Sequence, residues 1–555
     1  MRKSVKQQLA LRVLSTAALM AMVSSIATAA FADTYDLNKG SVTVETKADG
    51  ITYVTQKDDK QADGYARNEN DDILHDYQDK TGVTITSGGE KTSNTITVDT
   101  AKDQTTDVTL QDVHIEVNTT RAKSGAIEIK GDGDTNLELN GDNTVLVENE
   151  WSEEHAAIEK ADKYGTGTLT IKDDVNDNGT EKSGTEADTT GKLLAGGYHN
   201  SAAIGGGSNT YNREYSLADT SNITITGGEI TAIGGNDGCA GIGGGYNGTG
   251  KNIRIEGNAH VTAVAGDGAA IGGGIGSGNS VTITDDAVVD AYSAFAAAIG
   301  NGDQVGRPND PTTITISGNA TVHAENSQRG GCAIGNGRDG SLSDLTVNIE
   351  KNANVTAISS YDCPAIGTPL CIGATTTTIN ITGGTVNAIN SFGSDNPEYS
   401  SQYDGTRDTS PAIGTTIDSD RSGTCNVNIN SSTGDTVVNA YIYGKGSGTA
   451  IGSRYKGQNV PADSASYKAD GSSHFGERNS AIVNCYNNGT VAKEKLNLPS
   501  TKDPLALNYN KYSHTITGGT LTKVVHNRKY MEENPNIDTS DLKDEDLHDW
   551  KLVGK

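Results

Sequence analysis

The residues best suited to chemistry in this 555-residue chain are scattered, and each set is incomplete. Asp174, Asn176, Asn178 and Gly179 reproduce the opening of a calcium loop, in which alternate side chains offer oxygen ligands and a glycine makes the sharp turn. The twelfth position, where such a loop places a bidentate Glu, is Thr185, with Glu186 one residue late, so an acidic turn is the competing reading. Asp132 and Asp134 form a fainter second candidate for calcium. Asp404, Arg407 and Asp408, and separately Asp418, Asp420 and Arg421, have the types that polysaccharide cleavage needs, but both groups fall in polar turns where charge is expected without a function.

Binding residues are a second kind of candidate. Tyr numbers 21 against 4 Phe and 2 Trp, so aromatic surface here is almost entirely tyrosine, whose flat ring and polar rim suit stacking on a sugar. Tyr211, Tyr215, Tyr399 and Tyr403 lie in insertions, where they either bind a ligand or anchor the loop. Counting outward from apolar pairs gives two polar ladders. One is Thr224, Arg254, Thr282, Thr315, Asn348, Asn380 and Asn428; the other is Thr231, Thr262, Asp290, His323, Thr356, Asn387 and Asn439. Such ladders read either as an ordinary solvated β surface or as a track of donors and acceptors for a linear polymer, with Arg254 and His323 the distinctive members. Threonine-rich flat arrays also suit ice, though Asn, Arg and His dilute that pattern.

What must position these residues is a repeat. The phrase Ala-Ile-Gly recurs at Ala203-Ile204-Gly205, Ala270-Ile271-Gly272, Ala298-Ile299-Gly300, Ala333-Ile334-Gly335, Ala365-Ile366-Gly367, Ala412-Ile413-Gly414 and Ala450-Ile451-Gly452, with Gly241-Ile242-Gly243 as a variant. Its period drifts over roughly 28 to 47 residues, within the range of stacked repeats. Forerunners at Ala126-Ile127 and Ala157-Ile158 carry Glu in place of Gly. Before each phrase come two alternating segments, such as Ile253/Ile255 followed by Val261/Ala263, and Ile314/Ile316 followed by Val322/Ala324. Period-two alternation places the apolar members on one face of a strand. The pattern predicts an all-β, right-handed parallel β-helix with three short strands per coil and about ten to twelve coils, a rod roughly 50 to 60 Å long. A propeller is the rival, but it needs about four strands in a longer repeat. The glycines then turn corners; a phosphate loop would need the phrase once, followed by Lys and Ser or Thr.

The predicted organisation is a signal peptide over 1–32, a capping segment over 33–81, the β-helix over 82–526 and a charged tail over 527–555. The first of these rests on Arg2, Lys3 and Lys6, an apolar run from Leu9 to Ile26, and Ala30-Phe31-Ala32, and it predicts a secreted or extracellular protein. No later run is long enough for a membrane span. The formal net charge of -27 excludes a nonspecific nucleic-acid binder, because phosphate would be repelled. Six cysteines are too few for a disulfide scaffold and lack metal spacing. Cys332 and Cys363, one repeat apart, or Cys363 and Cys371, are candidate disulfides; the alternative is that they are small core residues.

Asp107-Val108-Thr109-Leu110-Gln111-Asp112-Val113-His114-Ile115, Gly125-Ala126-Ile127-Glu128-Ile129, Asn136-Leu137-Glu138-Leu139-Asn140-Gly141 and Gly167-Thr168-Leu169-Thr170-Ile171 run into the Ala-Ile-Gly-Gly-Gly coils. Together, over residues 82 to 450, the chain resembles secreted bacterial carbohydrate-binding proteins with a pectate-lyase-like right-handed parallel β-helix. These are fold motifs, not catalytic ones. The resemblance implies binding of acidic plant polysaccharide with calcium, although the chain departs from it in having no evident constellation of calcium-binding Asp residues. The expected function is a non-catalytic secreted or cell-surface protein that binds polysaccharide or host glycan. A lyase or glycoside hydrolase on the same scaffold, and a structural or adhesive surface protein, are the alternatives.

Overall fold

In a computed structural model the described residues are 33–68, 70–118, 124–148, 155–174, 191–208, 215–235, 237–276, 279–302, 310–327, 330–337, 343–359, 363–371, 375–390, 410–417, 424–429, 433–442, 451–455, 471–475, 482–487, 490–492, 515–517 and 520–525. The segments read as signal peptide and charged tail lie outside them.

The repeat folds as a right-handed parallel β-helix. Among the described residues three long sheets of 13, 14 and 13 strands run along the rod, and every coil contributes one strand to each. A propeller would instead give each blade its own sheet. Among the described residues eleven complete coils follow one another, from Val83–Thr86 in the first sheet to Ile451–Tyr455 in the third. The first strands carry the Ile-x-Ile pairs, the second strands carry the Val-x-Ala pairs and run one or two residues beyond the Ala, and the third strands hold the Ile-Gly pairs, for example Ile271–Gly272 and Ile299–Gly300.

Burial follows the alternation. Ile253, Ile255, Val261, Ala263 and Ile271 are at most 2% exposed, and their counterparts in neighbouring coils stack on them in register: Ile253 on Val281, Val261 on Val289, Ile271 on Ile299. The narrow interior is therefore a column of small and branched apolar side chains, which a composition of 34% hydrophobic residues can fill. Cys239, Cys332, Cys363 and Cys425 belong to this buried set as thiols, so no Cys332–Cys363 disulfide forms.

Two corners contain polar ladders inside the wall. Asn301 and Asn336, which follow the Ile-Gly pairs, are fully buried; Asn301 Nδ2 donates to Asn336 Oδ1 at 2.7 Å, and Asn336 Nδ2 donates to Thr368 Oγ1 at 3.1 Å. At the end of the second strands, Ser293 Oγ donates to the Gly268 carbonyl at 3.0 Å and Asn326 Nδ2 to the Ala296 carbonyl at 2.8 Å. Buried amides and hydroxyls of this kind must be satisfied, and here they satisfy corner backbone or each other.

Two of the sheets are closed at one end by antiparallel strands, the sheet of Ile-Gly strands at its near end and the second sheet at its far end. Thr52–Gln56 pairs antiparallel with Val42–Thr46 and in turn with Tyr77–Gln78, while Asp33–Asp36 and Val42–Thr46 already stack on the parallel sheets. At the far end Thr520–Val525 pairs antiparallel with Ile482–Asn487. Such strands interrupt parallel stacking at an otherwise open edge.

Candidate ligand-binding face

The two outward ladders read from the sequence are continuous in the structure. In the first sheet Thr224, Arg254, Thr282, Thr315, Asn348, Asn380 and Asn428 are successive register partners. In the second, Thr231, Thr262, Asp290, His323, Thr356, Asn387 and Asn439 are likewise consecutive. All fourteen are half-buried, as short side chains standing on a pleated surface should be.

The two faces differ in what flanks the ladder. On the first sheet a parallel column lies on one side, Ser280, Thr313, Thr346, Thr378 and Asn426, again in register. On the other side stand Thr284, Ser317, Glu350 and Thr382, with Thr284 Oγ1 and Ser317 Oγ 3.0 Å apart. Rows in this array are separated by about 4.8 Å between coils and columns by about 6.7 Å along the strand. On the second sheet the column beyond the ladder is instead buried: Ile233, Val264, Tyr292, Glu325 and Ile358 are at most 3% exposed although alternation points them outward. The turns that follow them pinch closed and stack on one another. A Cβ on Gly234 would meet the Ala240 carbonyl oxygen at 2.4 Å, and one on Gly268 would meet that of Cys239 at 2.0 Å.

Amides on the first sheet bond along the rod. Asn348 Nδ2 donates to Thr315 Oγ1 at 3.3 Å, Asn380 Nδ2 to Asn348 Oδ1 at 2.8 Å, and Asn428 Nδ2 to Asn380 Oδ1 at 2.8 Å. The adjoining turn repeats the device, with Asn319 donating to Asp286 at 2.9 Å and Asn352 to Asn319 at 3.0 Å. Each bond fixes a side chain that would otherwise sample several rotamers, so the array is preorganised.

The individual candidates fare differently. Arg254 is held by Glu256 two residues on, with Nη2 and Nε 2.6 and 3.1 Å from Oε2. His323 stands on the second sheet, its Nε2 3.6 Å from the buried Glu325 and its ring 5.6 Å from that of Tyr292. Tyr215 opens a single helical turn, Tyr215–Ala218, and is 45% exposed. Arg254, His323 and Tyr215 are thus not gathered into one pocket by any contact among the described residues. Tyr211, Tyr399 and Tyr403 lie outside the described residues, as do the groups Asp404, Arg407 and Asp408, and Asp418, Asp420 and Arg421.

Of the calcium candidates, Asp174 is described and Asn176 and Asn178 are not. Asp174 is ion-paired with Lys172 at 3.1 Å. Asp132 Oδ1 accepts from the Thr166 backbone N–H at 3.1 Å and from its hydroxyl at 3.2 Å, and Asp134 Oδ1 accepts from the Thr168 N–H at 2.9 Å, so both serve the turn of the next coil. Among the described residues no group of three or more His, Cys, Asp and Glu could hold a metal ion, and no helix is long and apolar enough to cross a membrane.

The alternation of Ile-x-Ile pairs locates the two central ladders, and the same count carried two residues toward the N-terminus gives the flanking column from Ser280 to Asn426, which the central positions alone do not reveal. No protein-family profile, characterised protein or solved structure matches this chain.

Proposed function

We propose that this protein is a non-catalytic, secreted or cell-surface β-helix that binds polysaccharide or glycan along the outer face of its first sheet. The observation that carries the reading is the register of the Thr282–Asn428 ladder with its flanking Ser280–Asn426 column, which offers a hydrogen-bonding group at every coil. A linear polymer presents hydroxyls with comparable regularity, so weak contacts add along the rod as in any multivalent interaction. The second sheet supports the reading less, because a buried column and the charged Asp290 interrupt its face.

The test is a glycan array and polymer pull-down with the full chain, with and without calcium. Retention on at least one polysaccharide in either condition is expected. Absence of binding to every polymer, in both conditions, overturns the proposal; appearance of new reducing or unsaturated ends would replace it with an enzyme.

A further inference from the structure

Resting on that reading, we infer that the ligand is an insoluble, uncharged polymer of N-acetylated sugars, recognised by its packed face instead of as a single dissolved chain. Two independent observations lead there. The first is charge. Across the five coils from Ser280 to Asn428 the three outward columns of the first sheet comprise fourteen positions, and Glu350 alone is charged, in a chain where charged residues are 21% of the whole and the net charge is -27. A face that served only solubility would share that charge. A polyanion would meet a repulsive molecule with no cation among these fourteen positions, the ladder's Arg254 lying one coil before them and already paired with Glu256, so an acidic polysaccharide is a poor match.

The second is the amide ladder. Asn348, Asn380 and Asn428 stack with amide-to-amide bonds of 2.8 Å. Stacked amides that bond to one another adopt a repeat of about 4.8 Å, whatever backbone carries them, because N–H···O geometry sets it. Acetamido groups stacked in a packed polymer obey the same constraint, so their repeat and that of the coils coincide. Asn380 spends one N–H on Asn348 and accepts once from Asn428, which leaves a second N–H and a second acceptor site for a ligand at the same spacing. The array is also two-dimensional, three columns wide, and so matches a sheet of chains better than one strand in a groove.

The experiment measures retention of the full chain on insoluble chitin and on microcrystalline cellulose, together with affinity for soluble chito-oligosaccharides. Expected are retention on chitin at least tenfold above cellulose, weak binding of the soluble oligomers, and a loss of at least tenfold for both Asn380→Asp and Thr315→Lys. Thermal midpoints of the variants identify any that fail to fold, and the two substitutions perturb the ladder differently. Equal retention on cellulose, tight binding of soluble oligomers, binding only to other glycans, or full retention by folded variants overturns this inference and leaves the general glycan-binding proposal standing. Arrest of ice growth without retention on any polymer overturns both.

Discussion

A β-carbon added to Gly272 would lie 2.1 Å from the carbonyl oxygen of Gly300 in the next coil, and the backbone of Gly272 sits at φ +135°. The same contact recurs at Gly243, 1.9 Å from Gly272, and at Gly335, 2.0 Å from Gly367. The Ala-Ile-Gly phrase is thus fixed by two separate requirements, a left-handed corner and the absence of any atom between stacked coils. Gly272→Ala should destabilise the rod by about 2 to 4 kcal/mol, from backbone strain plus a forced shift of the next coil. Chemical denaturation would read it; a loss under about 0.5 kcal/mol, the size of an ordinary surface change, would contradict this account of the corner.

Asn301 lies at the centre of a buried ladder, accepting from Thr312 Oγ1 at 2.9 Å and donating to Asn336 at 2.7 Å. Asn301→Ala strands those partners and should cost about 1 to 3 kcal/mol for each left unsatisfied. Thr occupies the equivalent place at Thr368 and Thr415, both buried, so Asn301→Thr should retain more stability than the alanine variant. Equal denaturation midpoints for the two variants would show that the ladder contributes nothing beyond volume.

Glu128 and Glu159 occupy the place of the phrase glycine in the two preceding coils and are register partners, both nearly or fully buried. Burial pushes the Glu128 carboxyl above its ordinary value of 4.5; the Lys130 ammonium 2.8 Å away pulls it back, the Glu159 carboxylate pushes it further up, and His155 pulls it down. In the window from 4.5 up to that raised value the folded chain binds more protons than the unfolded one, so this group's contribution falls as pH rises. Glu128→Gln should therefore gain stability relative to the parent between acid and neutral pH. Thermal midpoints of both proteins from pH 4 to 8 check it, and a difference that does not move with pH would contradict the assignment.

The fold was legible because the interior repeats its demands: Ile314/Ile316, Val322/Ala324 and Ile334 recur on three short strands per coil, and stacking the coils buries them together in one core. The limits of that reading are physical. Alternation says that Tyr292 and Glu325 point outward, yet the stacked turns beside the second sheet bury them, and turn geometry is not encoded in period two. Arg254 reads as an isolated cation until Glu256, just past the end of its strand, is seen to hold it. Asn301 and Asn336 look like loop residues after Ile-Gly, because only stacking of coils turns them into one buried ladder.

The central claim is that the first sheet, not the second, meets the ligand, and paired charge insertions test it most directly. Thr315 and Thr356 are both half-buried outward threonines in ladders of the same design, one on each sheet. Replacing each by Lys and measuring retention on the best-bound polysaccharide should give at least a tenfold loss for Thr315→Lys and little change for Thr356→Lys, at matched thermal midpoints. Equal loss for both, or none for Thr315→Lys, would contradict the account.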